Sequence, residues 1–389
     1  MIYVGIDVAK DKHDCFITNS DGEVLVNHLT FPNTLKGFNT FVTTVTSFSD
    51  GSEIIKVGLE ATGHYSNNIL DFLYSHGFTV YVLNPLSTNL FRKGQSLRKT
   101  KTDKSDAKMI ASMLLTQNLK PYSPLSYHTS ELKSLSRHRF RLVHERSKFK
   151  QSFSRMIQLV FPELPSIVWS ISQNSMLYLL LELPGANAIA TCHLTKLTSL
   201  LQKHSRGKYT KQKAMEIRTM ARDSIGSESP AKAFELQQVI RTLLFLQEEV
   251  KQLDKQLKKM VVVLQSPILS IPGISYITAA MILSEIGAIS NFDSPAKLLA
   301  FAGLEPSTYQ SGNFTATHAT MVKRGSKYLR WAILTSTRLV CMRDETFNDY
   351  KDKKLAEGKH YFVALSHTSK KLVRVIFHLL KTNQSYCPQ

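Results

Sequence analysis

Cysteine is scarce in this chain. Its 389 residues hold four, at Cys15, Cys192, Cys341 and Cys387, with no Cys-x-x-Cys pair and no Cys/His grouping at zinc spacing. A disulfide framework and a structural zinc site are therefore excluded as organising devices, and a reducing, cytoplasmic setting is expected. No secretory leader is expected either, because the chain begins in a strand-like run, Met1-Ile2-Tyr3-Val4-Gly5-Ile6-Asp7, with no basic segment and no small-residue cleavage site. The longest charge-free stretch, 260–284, is interrupted by Pro267, Pro272 and Gly273. That pattern predicts a helix end, a turn and a new helix rather than a membrane span. Internal repeats and low-complexity tracts are absent, and 43% apolar residues argue against disorder and for two or three packed domains.

Acidic charge is the other deficit. Forty-nine Lys and Arg face 30 Asp and Glu, a net +19 that implies a polyanionic partner such as nucleic acid. The imbalance is segregated. Residues 1–90 carry four basic side chains (Lys10, Lys12, Lys36, Lys56) against nine acidic ones, whereas 92–108 holds Arg92, Lys93, Arg98, Lys99, Lys101, Lys104 and Lys108 against Asp103 and Asp106. A second cluster, which includes Arg139 and Arg146, runs through 133–155, and a third comprises Lys323, Arg324, Lys327 and Arg330. All three are candidate nucleic-acid contacts, with a solvated helix face as the competing reading for the last two.

Up to about residue 125 the pattern is α/β. Three short apolar runs (Ile2 to Val8, Cys15 to Thr18, Val24 to Val26), with a Ser20-Asp21-Gly22 turn between the last two, predict a meander. Helical periodicity through Leu35, Phe38, Phe41 and Val42 follows, then a strand at 54–59, a helix through Ile69, Leu70 and Leu73, and a strand at 78–83 closed by Asn84-Pro85. This is the element order of a ribonuclease-H-like layer. From about Glu131 long helices take over. Positions 132, 135, 139, 142, 146, 149, 153, 156 and 160 step by three and four, as do 236, 239, 243, 246, 250, 253, 257, 260 and 264, where every residue is Leu, Val or Met. Such heptads predict a coiled coil, with two long helices packed inside one chain as the alternative. The expected organisation is 1–125, an α/β domain; 126–265, helical, with an insertion at about 165–230; and 266–389, mainly helical.

Four carboxylates stand out. Asp7 interrupts an apolar strand and Glu60 ends another, where an ionised group is costly without a cation or donors. Asp103 and Asp106 open a helix at i, i+3 spacing, so they share a face. Two strands and one helix can converge these acids into an all-oxygen site suited to Mg²⁺ or Mn²⁺, and two such ions can stabilise both oxygens of a phosphoryl transfer. Taken singly, Asp103 reads equally well as an N-cap and Asp106 as a solvated helix residue.

Three segments, Gly5-Ile6-Asp7-Val8-Ala9-Lys10, Glu60-Ala61-Thr62-Gly63-His64-Tyr65 and Lys101-Thr102-Asp103-Lys104-Ser105-Asp106-Ala107, resemble in order and spacing the motifs of DEDD-type insertion-sequence transposases. These are bridge-RNA-guided recombinases whose N-terminal domain resembles RuvC, the Holliday-junction resolvase. The resemblance extends to Ser270-Ile271-Pro272-Gly273-Ile274, Glu285-Ile286-Gly287, 301–306, Gln310-Ser311-Gly312 and 323–330. It implies a second catalytic segment in which Ser311, the serine directly before a glycine, is the nucleophile that forms a phosphoserine link; Ser307 lacks that glycine. It also implies a metal-binding Asp7, Glu60, Asp103 and Asp106, donor and target DNA as substrates, a noncoding guide RNA, and a homodimer or homotetramer built on the coiled coil, with serine and acids contributed by different protomers. The Ile-Pro-Gly-Ile-Ser turn further resembles a helix-hairpin-helix that offers backbone N–H groups to phosphate. Two other functions remain compatible with these residues: a metal-dependent junction endonuclease that hydrolyses, and a non-catalytic nucleic-acid-binding protein.

Overall fold

The computed structural model describes the chain except residues 50, 52, 62–64, 96–101, 124–125, 228, 308–309, 312–313, 316–319 and 389, and describes only the backbone at 127, 310–311 and 314–315. It divides into two compact units, Met1–Pro124 and Leu125–Gln389.

In the first unit, β1 (Ile2–Val8), β2 (Lys12–Asn19) and β3 (Val24–Pro32) form the expected meander, followed by α1 (Leu35–Thr46), β4 (Ile55–Glu60), α2 (Ser66–Ser75), β5 (Thr79–Leu83), α3 (Pro85–Gln95) and α4 (Asp103–Thr116). Sheet order is β3-β2-β1-β4-β5, with β1 antiparallel to β2 and parallel to β4. Strand alternation gives the sheet two faces. Ile2, Val4, Ile6, Val57 and Leu59 point into a core shared with Phe38 and Phe41 of α1 and Ile69 and Leu73 of α2. Each such buried side chain contributes about 1.5–3 kcal/mol.

The opposite face receives α4, and two glycines make room for it. A Cβ on Gly5 would lie 2.1 Å from the Ala107 carbonyl oxygen and 2.5 Å from the Ala111 nitrogen, while one on Gly58 would meet only the flexible side chains of Ile110 and Leu114 at 2.9 Å. Each glycine sits two residues before a strand carboxylate and therefore on the same face, so the docking that these glycines allow brings the α4 acids toward Asp7 and Glu60. Gly5→Ala, which meets backbone, is expected to prevent stable folding of this unit, whereas Gly58→Ala is expected to cost about 1–3 kcal/mol as an overpacked core does. Thermal melts of both variants check the ordering.

Two local features differ from expectation. Asn84-Pro85 does not merely close β5: the Asn84 side chain accepts the Leu86 N–H at 2.9 Å and starts α3, with proline at the first helical position, where no N–H is needed. Asp103 is not the N-cap of α4. Thr102 is, in a reciprocal capping box with Ser105, so neither acid of this helix serves as its cap.

The second unit is helical. The long α5 (Tyr127–Val160) is followed by α6 (Leu164–Ile167), α7 (Asn174–Glu182), α8 (Ala186–Thr191), α9 (Leu194–Ser205), α10 (Lys211–Arg222) and the long α11 (Pro230–Leu264). A 3₁₀ turn at Pro267–Ser270 leads to α12 (Tyr276–Ile286), α13 (Pro295–Phe301), a hairpin of β6 (Gln310–Ser311) and β7 (Phe314–Thr315), α14 (Lys327–Val340), α15 (Glu345–Ala356) and α16 (Tyr361–Thr382). Helices α5 and α11 run antiparallel against each other: Arg155 pairs with Glu235 near one end, and Arg139 with Asp254 further along. The heptad positions Leu236, Val239, Leu243, Leu246, Val250 and Leu257 are buried within the chain. Within the chain this apolar stripe is covered by α5 and its neighbours, as in the alternative of two long helices packed inside one chain. Helices α6 to α10 close one core with the adjoining halves of α5 and α11, and α12 to α16 share the other with residues from the opposite ends.

Candidate functional site

At one edge of the first unit's sheet, β1 and β4 end side by side, paired in register through Ile6 and Leu59, so the next residue of each strand is a carboxylate. Asp7 is half-buried and Glu60 accepts the Thr88 hydroxyl at 2.9 Å. From α4, Asp106 is buried and accepts Arg92 Nη1 at 3.3 Å, while Asp103 is exposed, with Lys12 Nζ 3.8 Å away. Glu60, Asp106, Arg92 and Thr88 line a polar cavity of about 220 Å³ between β4, α3 and α4. Burial, then the negative charges of Asp106, Asp103, Glu60 and Asp14, push the Asp7 carboxyl up from 3.8 to about 6.

The donor set suits a hard divalent cation: every candidate ligand is a carboxylate oxygen, and the mutual repulsion felt at Asp7 is the field such an ion relieves. Among the described residues, no three His, Cys, Asp or Glu side chains form a ready-made cage as they lie. Thr88, Arg92 and Lys12 each engage one of the acids instead.

The sign of the Asp7 shift has a measurable consequence. Between roughly pH 4 and 6 the native state keeps a proton that the unfolded chain has lost, so stability falls as pH rises through that window and the cost of the ionised form is fully present above it. In metal-free buffer, Asp7→Asn is expected to stabilise the protein by on the order of 1 kcal/mol at pH 8, a value reduced by solvent screening, and by nothing near pH 4. Denaturant titrations at the two pH values check it.

Three neighbours of this cluster escape sequence reasoning. Asp14 lies directly across from Asp7 on β2, buried, and accepts Thr30 Oγ1 at 2.6 Å, with His28 Nε2 at 2.7 Å and Lys12 Nζ at 3.3 Å. The hydrogen bonds of Thr30, His28 and Lys12 hold its carboxyl below the ordinary range against the cost of burial. Only the strand pairing reveals it, since six residues lie between it and Asp7. Lys12 and Thr88 likewise become neighbours only through the fold.

In the second unit the segment bearing Ser311 is an antiparallel hairpin, with Ser311 in register with Phe314. Its lower part is zipped by Ser307 N–H to the Thr320 carbonyl at 2.7 Å and Val322 N–H to that of Glu305 at 2.9 Å. Ser307 Oγ accepts the Thr320 N–H at 3.0 Å, so this serine holds the hairpin together. The base is anchored by a buried polar network. Glu285 of α12, with a side chain 1% exposed, takes a two-pronged bond from Arg137 of α5 (2.6 and 3.0 Å) and a third from the Ser326 hydroxyl at 2.7 Å. Ser326 caps α14, and the Arg137 guanidinium lies 4.7 Å from the Tyr328 ring centre. Arg137 and Ser326 carry no sequence signal for this role.

The candidate nucleic-acid contacts separate in the same way. Lys93, Lys104, Lys323, Arg324 and Lys327 are exposed. Arg92 belongs to the acidic site, and Arg98, Lys99 and Lys101 lie outside the described residues, as does the Thr62-Gly63-His64 part of the second motif. Arg139 is not an outward contact: it is paired with Asp254 of α11, and Arg146 lies half-buried on the same helix with its Nε enclosed. The 323–330 cluster is not one helical face, because α14 starts only at Lys327; Lys323 sits in the preceding loop with φ 54°, and Arg330 donates to its carbonyl at 3.0 Å. The Ile-Pro-Gly-Ile-Ser turn is packed rather than open, since a Cβ on Gly273 would lie 2.6 Å from the Val340 nitrogen at the end of α14.

The chain thus joins a mixed sheet with carboxylates at one end to a helical unit that carries a serine hairpin, and comparison with known proteins gives its class as a transposase. Residues 4–162 match the DEDD transposase family of IS110 elements, and residues 265–352 match the transposase family of IS116, IS110 and IS902. The chain belongs to the IS110/IS116 family of insertion-sequence transposases, enzymes that act on DNA. It is 23% identical to the 44.8 kDa protein of insertion element IS116 from Streptomyces clavuligerus, over 100% of this chain and 96% of the relative. It is also 23% identical to the pilin gene-inverting protein of Moraxella lacunata, over 99% and 97%. The 43.6 kDa protein of IS110 from Streptomyces coelicolor is 32% identical over 31% of this chain and 30% of its own length. Among the described residues no helix is long and apolar enough to cross a membrane.

Proposed function

We propose that this transposase moves or inverts a DNA segment by cutting and rejoining strands through a covalent phosphoserine intermediate. Ser311 Oγ bonds to a DNA phosphorus as a P–O ester bond to the strand breaks; the serine proton is lost and the leaving oxygen gains one. One ester replaces another, so the linkage is preserved for rejoining rather than lost to water. Asp7, Glu60, Asp103 and Asp106 hold Mg²⁺ or Mn²⁺, which supplies charge stabilisation for phosphoryl transfer when bound. The first unit is in this reading a RuvC-like domain. Thr88, Arg92 and Lys12 orient the acids, and Asp14 adds negative charge beside Asp7.

The observation that carries this reading is that β1 and β4 end in Asp7 and Glu60 beside the acids of α4, where burial first and then the negative charges of Asp106, Asp103, Glu60 and Asp14 lift the Asp7 carboxyl to about 6. The Moraxella relative, named for gene inversion, supports a recombination outcome over simple cutting. A noncoding RNA pairs with donor and target DNA and supplies sequence choice, while basic side chains hold backbones. The working assembly is a dimer or tetramer in which one protomer's acids serve another's serine.

The test is to purify the protein from cells with its nucleic acid, sequence what copurifies, and incubate the complex with DNA containing the element ends. A discrete RNA and a magnesium-dependent covalent protein–DNA adduct are expected. Asp106→Asn is expected to remove the adduct while leaving RNA binding intact. Cutting that persists in Asp106→Asn and in EDTA would contradict the metal assignment.

A further inference from the structure

After Glu357 the chain contains no acidic residue, yet it carries Lys359, Lys370, Lys371, Arg374 and Lys381, the last four on α16. The segment after α16 does not trail away. Tyr386 N–H donates to Ser270 Oγ at 2.7 Å, the Tyr386 hydroxyl donates to Asp344 at 2.9 Å, and its ring stands 6.3 Å from that of Phe347. The returning segment forms one wall of a groove of about 440 Å³, with α16 and the start of α15 as the others. Phe347, Lys371, Arg374, His378, Gln384 and Tyr386 are among its lining residues, and no carboxylate is.

Three physical facts bear on what fits there. Lys371 is held in place: its ammonium lies 5.3 Å from the ring centres of both Phe347 and Tyr350 and donates to the Thr346 carbonyl at 3.3 Å. Arg374 and His378 are exposed one helical turn apart, on the same side of α16. Beside the groove, Lys370 has its ammonium pKa lowered by burial and by the positive charge of Arg374, so these two cations crowd each other, and no acid is among the groove's lining residues to offset them. The acid that does stand nearby, Asp344, is already engaged as the N-cap of α15 and as the acceptor of Tyr386.

We propose that this groove binds single-stranded nucleic acid, taking an unpaired nucleotide with its phosphate against Lys371, Arg374 and His378 and its base against the Tyr386 ring. Crowded cations are relieved by a phosphate, and an aromatic wall beside them accepts the flat face of any base. The volume matches that of a small-ligand cleft, and a paired base has no face to offer it. The inference goes beyond the serine chemistry and does not depend on it.

The full-length protein is mixed with 12-nucleotide poly-dT or poly-rU bearing one 5-iodouracil, irradiated, and the crosslinked peptides are sequenced. Crosslinks within 384–387 are expected for at least one oligonucleotide, and the stronger of the two arms says whether the site takes DNA or RNA. The double variant Arg374→Gln/His378→Gln changes exposed side chains only. It is expected to weaken single-strand binding about tenfold and to lower the salt slope by roughly one unit. Tyr386→Phe keeps the ring and is expected to keep the affinity. Crosslinks confined to other segments, an unchanged affinity and salt slope in the double variant, equal crosslinking to a blunt duplex of the same length, or displacement by an acidic peptide in preference to oligonucleotide would each overturn the proposal.

Discussion

Ser311→Ala is expected to lower strand exchange by at least about 10⁴-fold and to eliminate the covalent protein–DNA adduct, because no other group at that position can form the phosphoester. Its effect on folding is expected to be small, since the variant removes one hydroxyl from a two-residue strand whose backbone pairing with Phe314 and Thr315 persists. The result to look for is full loss of adduct with DNA affinity and melting temperature unchanged. Strand cleavage retained by Ser311→Ala would replace the recombinase reading with hydrolysis at the acidic site. Loss of cleavage in both Ser311→Ala and Asp7→Asn would show that the two sites act in one reaction. Ser307→Ala serves as the contrast, because its hydroxyl closes the hairpin through Thr320. Its defect is expected to be partial and to come with a lower melting temperature.

Glu285→Ala is expected to destabilise the second unit by about 3–5 kcal/mol, the cost of leaving a partly buried guanidinium without its carboxylate. Set against a typical net stability of about 5–15 kcal/mol, that is enough to unfold a large part of the population at 37 °C. The loss propagates from three contacts at once: Arg137 of α5, the Ser326 cap of α14, and through Ser326 the base of the serine hairpin. Ser326→Ala, which leaves the ion pair intact, is expected to cost only about 1 kcal/mol. The double replacement Glu285→Leu/Arg137→Met, which removes both charges together, is expected to be far less damaging than Glu285→Ala alone. Urea titrations of the three variants separate these outcomes, and a Glu285→Ala protein as stable as the parent would show that the network carries no weight.

The strands of the first unit were legible because each is a short apolar run between turn residues, and alternation is a local property. The glycines before Asp7 and Glu60 were legible only as letters of a motif. Their meaning, a helix backbone within 2.5 Å of where a Cβ on Gly5 would stand, belongs to the packing of α4. In the long helices the heptads marked one continuous apolar stripe, on α11, and one interrupted by Arg139 and Arg146, on α5, yet a stripe says only that something covers it. Whether that is a second protomer or a neighbouring helix depends on chain reversal between α5 and α11, which no periodicity encodes. The basic residues were hardest to read. Arg139 and Lys104 look alike in sequence, but one is paired across an interhelical seam and the other faces solvent.

By itself, the sequence determined the class of the first unit's five strands and of the long helices, the excess of positive charge, the presence of two strand carboxylates and two helical ones, and family membership through motifs that survive at low identity. These are properties of short windows, where spacing and residue type suffice. Only the tertiary structure decided that Asp14 stands across from Asp7, that Thr88, Arg92 and Lys12 engage the acids, that Glu285 anchors the hairpin, and that the chain after α16 folds back to make a groove. Each of these joins residues distant in sequence or set by strand register, and the free energy that brings them together comes from burying apolar faces elsewhere in the molecule. Chemistry at a site is thus written locally, while its partners are chosen by the packing of everything around it.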